Sequence, residues 1–225
     1  MFKRNDIKLE RHALVWLTPQ GWLAARDSAR PDHADAIERW QRANWPAVVR
    51  RSDADAAPDE VCLGIALPPH PVSGDKLRIG LRAQVCDVAR MTPALALNAN
   101  PALLPEKWQT GLRALAADSI GLTIRLHGSV ALQAVTGLSY VRPASDIDLL
   151  FYPASEPELR AGLALLTLHA ATLPLDGEIV FPDGDAVAWK EWLMAETNNA
   201  RVLVKQLCGV RLAPMGDLLA TLRPT

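Results

Sequence analysis

Residues 122–152 read Leu-Thr-Ile-Arg-Leu-His-Gly-Ser (122–129), Val-Ala-Leu-Gln-Ala-Val-Thr-Gly-Leu-Ser-Tyr-Val-Arg-Pro-Ala (130–144) and Ser-Asp-Ile-Asp-Leu-Leu-Phe-Tyr (145–152). Leu122, Ile124 and Leu126 alternate with Thr123, Arg125 and His127, the period of a strand with one buried face. The strand pattern stops at Gly128-Ser129 and a helical pattern follows at once. Glycine lets the backbone turn tightly and approach a ligand, and the amides opening a helix are unpaired donors with partial positive charge, so this junction suits a phosphate. Further on, Asp146 and Asp148 are two apart on a predicted strand and leave the same face, while Ile147 and Leu149 enter the core. Two carboxylates so close repel unless a cation lies between them, and Mg²⁺ takes one or two carboxylates plus substrate phosphates. An isolated Asp-x-Asp is more often a solvated turn pair. Here it follows a Gly-Ser strand end, which favours the metal reading.

Gly128-Ser129 on one strand end followed by Asp146-Ile147-Asp148-Leu149-Leu150 resembles the signature of the nucleotidyltransferase superfamily typified by DNA polymerase beta. The spacing between the two halves is longer than in minimal members. With Gln133, Thr136-Gly137, Tyr140 and Ser145 included, the stretch is similar to the phosphoribosyl-dephospho-CoA transferases, also called malonate decarboxylase holo-[acyl-carrier-protein] synthases. The resemblance implies an α+β fold: a nucleotidyltransferase-like mixed sheet with flanking helices, preceded by a smaller α/β N-terminal domain.

Composition agrees with an ordinary globular chain, since 225 residues at 49% hydrophobic and 22% charged supply core for one or two domains. A net charge of −1 argues against a dedicated nucleic-acid binder. Cys62, Cys86 and Cys208 are odd in number and far apart, which supports neither a disulfide framework nor a zinc site and fits a reduced, cytoplasmic chain. The first residues are too charged for a signal peptide, and the apolar run 162–175 is too short to span a bilayer, so no membrane partner is expected.

Along the chain, 13–17 reads as a strand or a short helical turn, strands are expected at 46–51, 62–67 and 77–86, and a helix over 35–44. The prolines of 68–74 forbid regular structure between the last two strands. Residues 91–105 show no clear period, and a domain boundary is placed there, near residue 100. That gives an N-terminal domain over 1–100, a candidate for carrier-protein or CoA recognition, and a nucleotidyltransferase catalytic domain over 101–225. A helix is expected over 105–117, and the capping box Ser155-Glu156-Pro157-Glu158 starts another that runs to about residue 171. The turn Pro182-Asp183-Gly184-Asp185 makes a hairpin of 173–181 and 186–189, followed by a helix over 190–199 and a short strand over 209–212.

The resemblance implies a third carboxylate on a later strand, and Glu178 is the candidate ligand or base, with Asp176 as substitute on its face. Arg201 and Lys205, four apart, are read as one side of a helix and as candidate phosphate-binding cations. Arg50, Arg51, Arg78 and Arg82 are candidates for phosphates or an acidic partner, against the plainer reading of a solvated face. His127 is left out of the chemistry, which rests on positioning and charge neutralisation. Trp189 and Trp192 read as core, with stacking on an adenine as the alternative.

The chemistry expected is metal-dependent nucleotidyl transfer. Asp146 and Asp148 would hold one or two Mg²⁺ ions, with Glu178 completing the catalytic group, and Gly128, Ser129, Arg201 and Lys205 would bind substrate. The resemblance implies the donor, 2′-(5″-triphosphoribosyl)-3′-dephospho-CoA, and the acceptor, a serine of the acyl-carrier subunit of malonate decarboxylase, with release of pyrophosphate. Two alternatives stay open: transfer to a different acceptor, and a nucleotide-binding module without turnover.

Overall fold

The alternating segments of the sequence become two sheets, each with its own core. The structure, a computed structural model, describes residues 9–97, 104–198 and 200–224. The chain divides into two compact units, Met1–Ala94 and Leu95–Thr225. The boundary expected near residue 100 falls within 98–103, outside the described residues.

The first unit is built from strands β1 (Leu14–Leu17), β2 (Ala47–Val49), β3 (Glu60–Ala66), β4 (Arg78–Gln84) and β5 (Val88–Thr92), in the order β4-β3-β2-β1-β5 with every pair antiparallel. Helices α1 (Pro19–Asp27) and α2 (Ala34–Arg42) complete it. Thr18 caps α1 by accepting a hydrogen bond from the Gly21 amide at 3.0 Å, and Pro19 occupies the first turn, where a missing N–H costs nothing. Ile37 and Trp40 of α2 are fully buried, and the Trp40 indole donates to the Pro46 carbonyl at 2.9 Å.

The second unit runs β6 (Leu95–Ala96), α3 (Glu106–Asp118), β7 (Ile124–Leu126), α4 (Gly128–Thr136), β8 (Ile147–Phe151), α5 (Glu156–Ala170), β9 (Leu175–Val180), β10 (Ala186–Ala188), α6 (Trp189–Asn198), β11 (Val202–Lys205), β12 (Val210–Ala213) and α7 (Met215–Leu219). Its seven strands lie in the order β12-β11-β10-β9-β8-β7-β6. The β8–β9 pair is parallel and its neighbours are antiparallel, which makes the sheet mixed and the fold α+β. Parallel neighbours need a crossover, and α5 supplies it. The Ser155 hydroxyl accepts from the Glu158 amide at 3.4 Å, which caps α5, and the Glu158 carboxylate reaches back one residue past the cap to accept from the Ala154 amide at 2.9 Å.

One face of this sheet is apolar. Ile124, Leu126, Ile147, Leu149, Phe151, Leu175, Ile179, Val187, Val202 and Val204 are buried there in one core with Trp108, Leu112 and Leu115 of α3, Leu159, Leu163 and Leu166 of α5, and Trp192 of α6. Gly162 is required at the crossing of α5 over β8, because a Cβ would overlap the Phe151 ring. Among the described residues no helix is long and apolar enough to cross a membrane.

The segment over 201–205 differs from expectation. It is a strand, not a helix, with Val202 and Val204 fully buried and Arg201 and Leu203 exposed, the alternation of a sheet. A spacing of four keeps Arg201 and Lys205 on one side in either geometry. Helix α1 and strands β5 and β6 were not expected at all.

Candidate active site

The opposite face of the second sheet is polar, and strand register shows which side chains share it. In the parallel pair, Asp148 faces Asp176 and Leu150 faces Glu178. Arg125 of β7 faces Leu150. On the other side, Glu178 faces Ala188, and Ala186 faces Lys205. Asp148, Asp176, Glu178 and Lys205 therefore project from one face, with Ala186 and Ala188 leaving the space between β9 and β11 low. Asp146 is exposed and stands immediately before β8, at the rim of this face.

Gly128 begins α4 with φ +65°, a left-handed conformation that glycine adopts without penalty. A Cβ built there would overlap Oδ2 of Asp148, so the backbone of the Gly-Ser turn lies directly against this carboxylate. The His127 amide donates to the Asp148 carbonyl at 3.0 Å, which fixes the end of β7 against β8. Ser129 is buried in the first turn of α4. The Gly-Ser turn and Asp148, expected from sequence as phosphate seat and metal ligand, thus pack together.

The long connection between α4 and β8 is tied back to the helix. Gln133 Oε1 accepts from the amides of Tyr140 and Val141 at 3.0 and 2.9 Å. Tyr140 is buried, Gly137 caps α4 at φ +72°, and the Thr136 hydroxyl accepts from the Leu138 amide at 3.1 Å. The Ser145 hydroxyl accepts from the Arg142 amide at 2.9 Å, one residue before Asp146. A carboxamide oxygen accepting from two amides ties the loop that leads to Asp146 back to α4.

Glu178 is 7% exposed, and the Lys205 ammonium donates to its Oε1 at 2.8 Å. The pair spans β10 between them. A buried carboxylate is retained where it is paired, and this one is. Among the described residues no three Asp, Glu, His or Cys side chains are close enough together to hold a metal ion. Asp146 and Asp148 are a two-carboxylate set, which suits an ion that completes its shell from phosphate oxygens and water, as Mg²⁺ does. The absent side chain of Gly128 leaves the Asp148 carboxylate its place beside the turn.

Other sequence candidates have different settings. Asp176 shares the face and meets Lys190 at 3.5 Å across the surface. Arg201 is exposed, and its guanidinium donates to the Leu212 carbonyl at 3.1 Å. Asp185 is buried and accepts from Gln206 at 2.7 Å and Arg211 at 2.8 Å, while Asp183 accepts from the Asp185 amide at 3.0 Å, so both serve the hairpin. Trp189 and Trp192, 4% and 0% exposed, belong to the core, where neither has a face for an adenine.

In the first unit, Arg50 and Arg82 are committed to acids. Arg50 grips Asp53 with both terminal nitrogens, and Arg82 bonds Asp53 and Asp55. Hydrogen bonds from Arg50 and then Arg82 outweigh desolvation and hold the Asp53 carboxyl well below the usual range; the Arg82 hydrogen bond lowers Asp55. The two guanidiniums are raised in turn, Arg50 chiefly by Asp53 and Arg82 chiefly by Asp55. This network holds β2, β4 and the 50–60 loop together, so Arg50 and Arg82, candidates for phosphates or an acidic partner against the plainer solvated face, are engaged within the unit. Arg51 and Arg78 remain exposed.

The chain matches the family model described as phosphoribosyl-dephospho-CoA transferase MdcG C-terminal domain over residues 94–216, and the corresponding N-terminal domain over residues 10–94. A protein of Xanthomonas campestris pv. campestris (strain 8004) named phosphoribosyl-dephospho-CoA transferase is 42% identical over 208 residues, covering 91% of this chain and 93% of the relative. Relatives of the same name from Bradyrhizobium diazoefficiens and Pseudomonas putida (strain W619) are 35% and 30% identical, with 84% and 89% of this chain and 84% and 91% of each relative covered. No solved structure matches the chain.

Proposed function

This chain belongs to the phosphoribosyl-dephospho-CoA transferase family, a family of transferases, and on that premise we propose that it joins 2′-(5″-triphosphoribosyl)-3′-dephospho-CoA to a serine of the apo acyl-carrier subunit of malonate decarboxylase. The serine oxygen forms a bond to the α phosphorus, the bond to the β-phosphate bridging oxygen breaks, and pyrophosphate leaves. The hydroxyl proton passes to solvent or base, and a phosphodiester remains.

The observation that supports this reading is the packing of the left-handed Gly128 against the Asp148 carboxylate, as a phosphate seat beside a metal ligand would require. The turn and the first amides of α4 receive the β and γ phosphates. Asp146 and Asp148 hold Mg²⁺. When bound, Mg²⁺ supplies charge neutralisation on the phosphates and lowers the pKa of the attacking hydroxyl. Lys205 places positive charge on the same face, and Glu178 fixes its position through the 2.8 Å ion pair; Glu178 is also within the catalytic group, as a third ligand or as the base that takes the hydroxyl proton. Arg201 adds a second cation to the donor's side of the site. Cys62, Cys86 and Cys208 are free thiols, which supports a reducing, cytoplasmic setting.

The test is pyrophosphate release with the triphosphoribosyl donor, the apo carrier subunit and Mg²⁺. Release by the native chain, lost by at least 100-fold in Asp146→Asn and Asp148→Asn and abolished by chelation, is expected. Equal release by either variant removes the metal assignment, and release from ATP without the carrier overturns both the donor and the acceptor.

A further inference from the structure

The polar face continues past Lys205 into a feature that transfer at the α phosphorus leaves unused. On β11 and β12, Leu203 faces Leu212 and Lys205 faces Val210. By the two-residue period these side chains stand on the same face as Glu178 and Asp148. Leu203, Val210 and Leu212 are 37%, 51% and 58% exposed, three aliphatic groups side by side at the edge of the sheet. Exposed aliphatics on an edge strand invite unwanted pairing and are normally replaced by charge. Cations bracket them: Lys205 at one end, and at the other Arg201, whose guanidinium is pinned over β12 through the Leu212 carbonyl.

We propose that this β11–β12 strip is the seat of the dephospho-CoA portion of the donor, with Leu203, Val210 and Leu212 against the pantetheine arm and Arg201 on the diphosphate. The inference rests on the donor class proposed above. Three properties of the strip favour this occupant. Position comes first: β11 and β12 are three and four strands from Asp148, roughly 14–19 Å at about 4.8 Å per strand. A donor whose α phosphorus lies at Asp148 extends over that distance through two riboses before its arm begins. Charge is second, since a diphosphate adjoining an apolar arm matches a guanidinium adjoining aliphatic side chains. Size is third. Three side chains fall far short of the roughly 20–30 residues per partner that a standard protein interface takes, which assigns the strip to a ligand and not to the carrier protein.

Direct binding to the full chain tests this without turnover. Titration calorimetry with 3′-dephospho-CoA and, separately, with ADP, which lacks the arm, is expected to show dephospho-CoA binding at least tenfold tighter. The double variant Leu203→Ala/Leu212→Ala weakens dephospho-CoA at least tenfold and ADP less than twofold, whereas Leu168→Glu, exposed on α5, changes neither. Both alanines are at exposed positions, and a melting temperature matching the native chain verifies the fold; Val210→Ala alone serves as a milder second variant, with the same direction expected. No binding of dephospho-CoA at millimolar concentration, or equal binding by the native chain and the double variant, overturns the proposal. So does a raised KM for the carrier subunit with dephospho-CoA affinity unchanged, which hands the strip to the acceptor. If binding behaves as expected but no pyrophosphate is released, the strip stands and the transfer reading fails.

Discussion

Replacing Gly128 by alanine puts a methyl group where the Asp148 carboxylate lies. Two costs follow, and they are separable. The backbone holds φ +65°, which for a residue with a Cβ costs about 1–2 kcal/mol. The methyl would also stand 2.9 and 3.2 Å from Cγ and Cβ of Asp148 and overlap its Oδ2. A carboxylate is the far end of a side chain, so it rotates away more easily than the helix shifts. The metal ligand then moves by on the order of 1 Å, a displacement worth about 100-fold in rate. Gly137→Ala is the control, because Gly137 has φ +72° and nothing within 4 Å of an added Cβ. Both variants should lower the melting temperature similarly, by about 2–8 °C for 1–2 kcal/mol in a chain of this size. Only Gly128→Ala should lose about 100-fold in pyrophosphate release with the triphosphoribosyl donor, while Gly137→Ala stays within about threefold. Equal activities would refute the coupling of the phosphate seat to Asp148.

Three further outcomes follow from the same geometry. Lys205→Met removes the Lys205 donor from the buried Glu178 carboxylate and should cost about 1–3 kcal/mol in urea unfolding, while Lys205→Met/Glu178→Gln recovers part of that stability but not the activity. Asp53 and Asp55 titrate below the usual carboxylate range in the folded chain, so their stabilisation is present above the unfolded value near pH 4 and is lost as pH falls through the folded values. Arg82→Met should flatten the decline of melting temperature below about pH 4 and leave transfer at neutral pH unchanged. Gln133→Leu removes the acceptor for two amides and should raise the Mg²⁺ concentration for half-maximal activity about tenfold, while Gln133→Glu, which keeps an oxygen there, raises it far less.

Residues 122–152 are the most legible stretch of the chain. The switch from period two to helical spacing at Gly128 was visible because alternation and its end are local. The hairpin at Pro182-Asp183-Gly184-Asp185 was equally local. Helix α1 was hidden because its first turn is Pro19-Gln20-Gly21, and Gly21 is there for packing, with its missing Cβ leaving room for the Asp87 side chain. The segment 201–205 misled because a spacing of four satisfies one helix face and one strand face alike; the alternation of Val202 and Val204 with Arg201 and Leu203 was the signal to follow. Contacts between distant residues left no local trace. Lys205 and Glu178 are 27 apart in sequence, and Arg82 and Asp53 are 29 apart. The first pair ties a candidate base to a cation, and the second engages Arg82 with an acid of its own unit. The two amides on Gln133 come from residues seven and eight positions on, beyond a helical turn, so a motif position could be named without its role.

The most direct test of the proposed transfer is the intact mass of the apo carrier subunit after incubation with this chain, Mg²⁺ and the triphosphoribosyl donor, with Asp148→Ala alongside. A gain equal to one phosphoribosyl-dephospho-CoA group, absent with Asp148→Ala, is the expected result. An unchanged carrier mass with the native chain, or the same gain with Asp148→Ala, would contradict it.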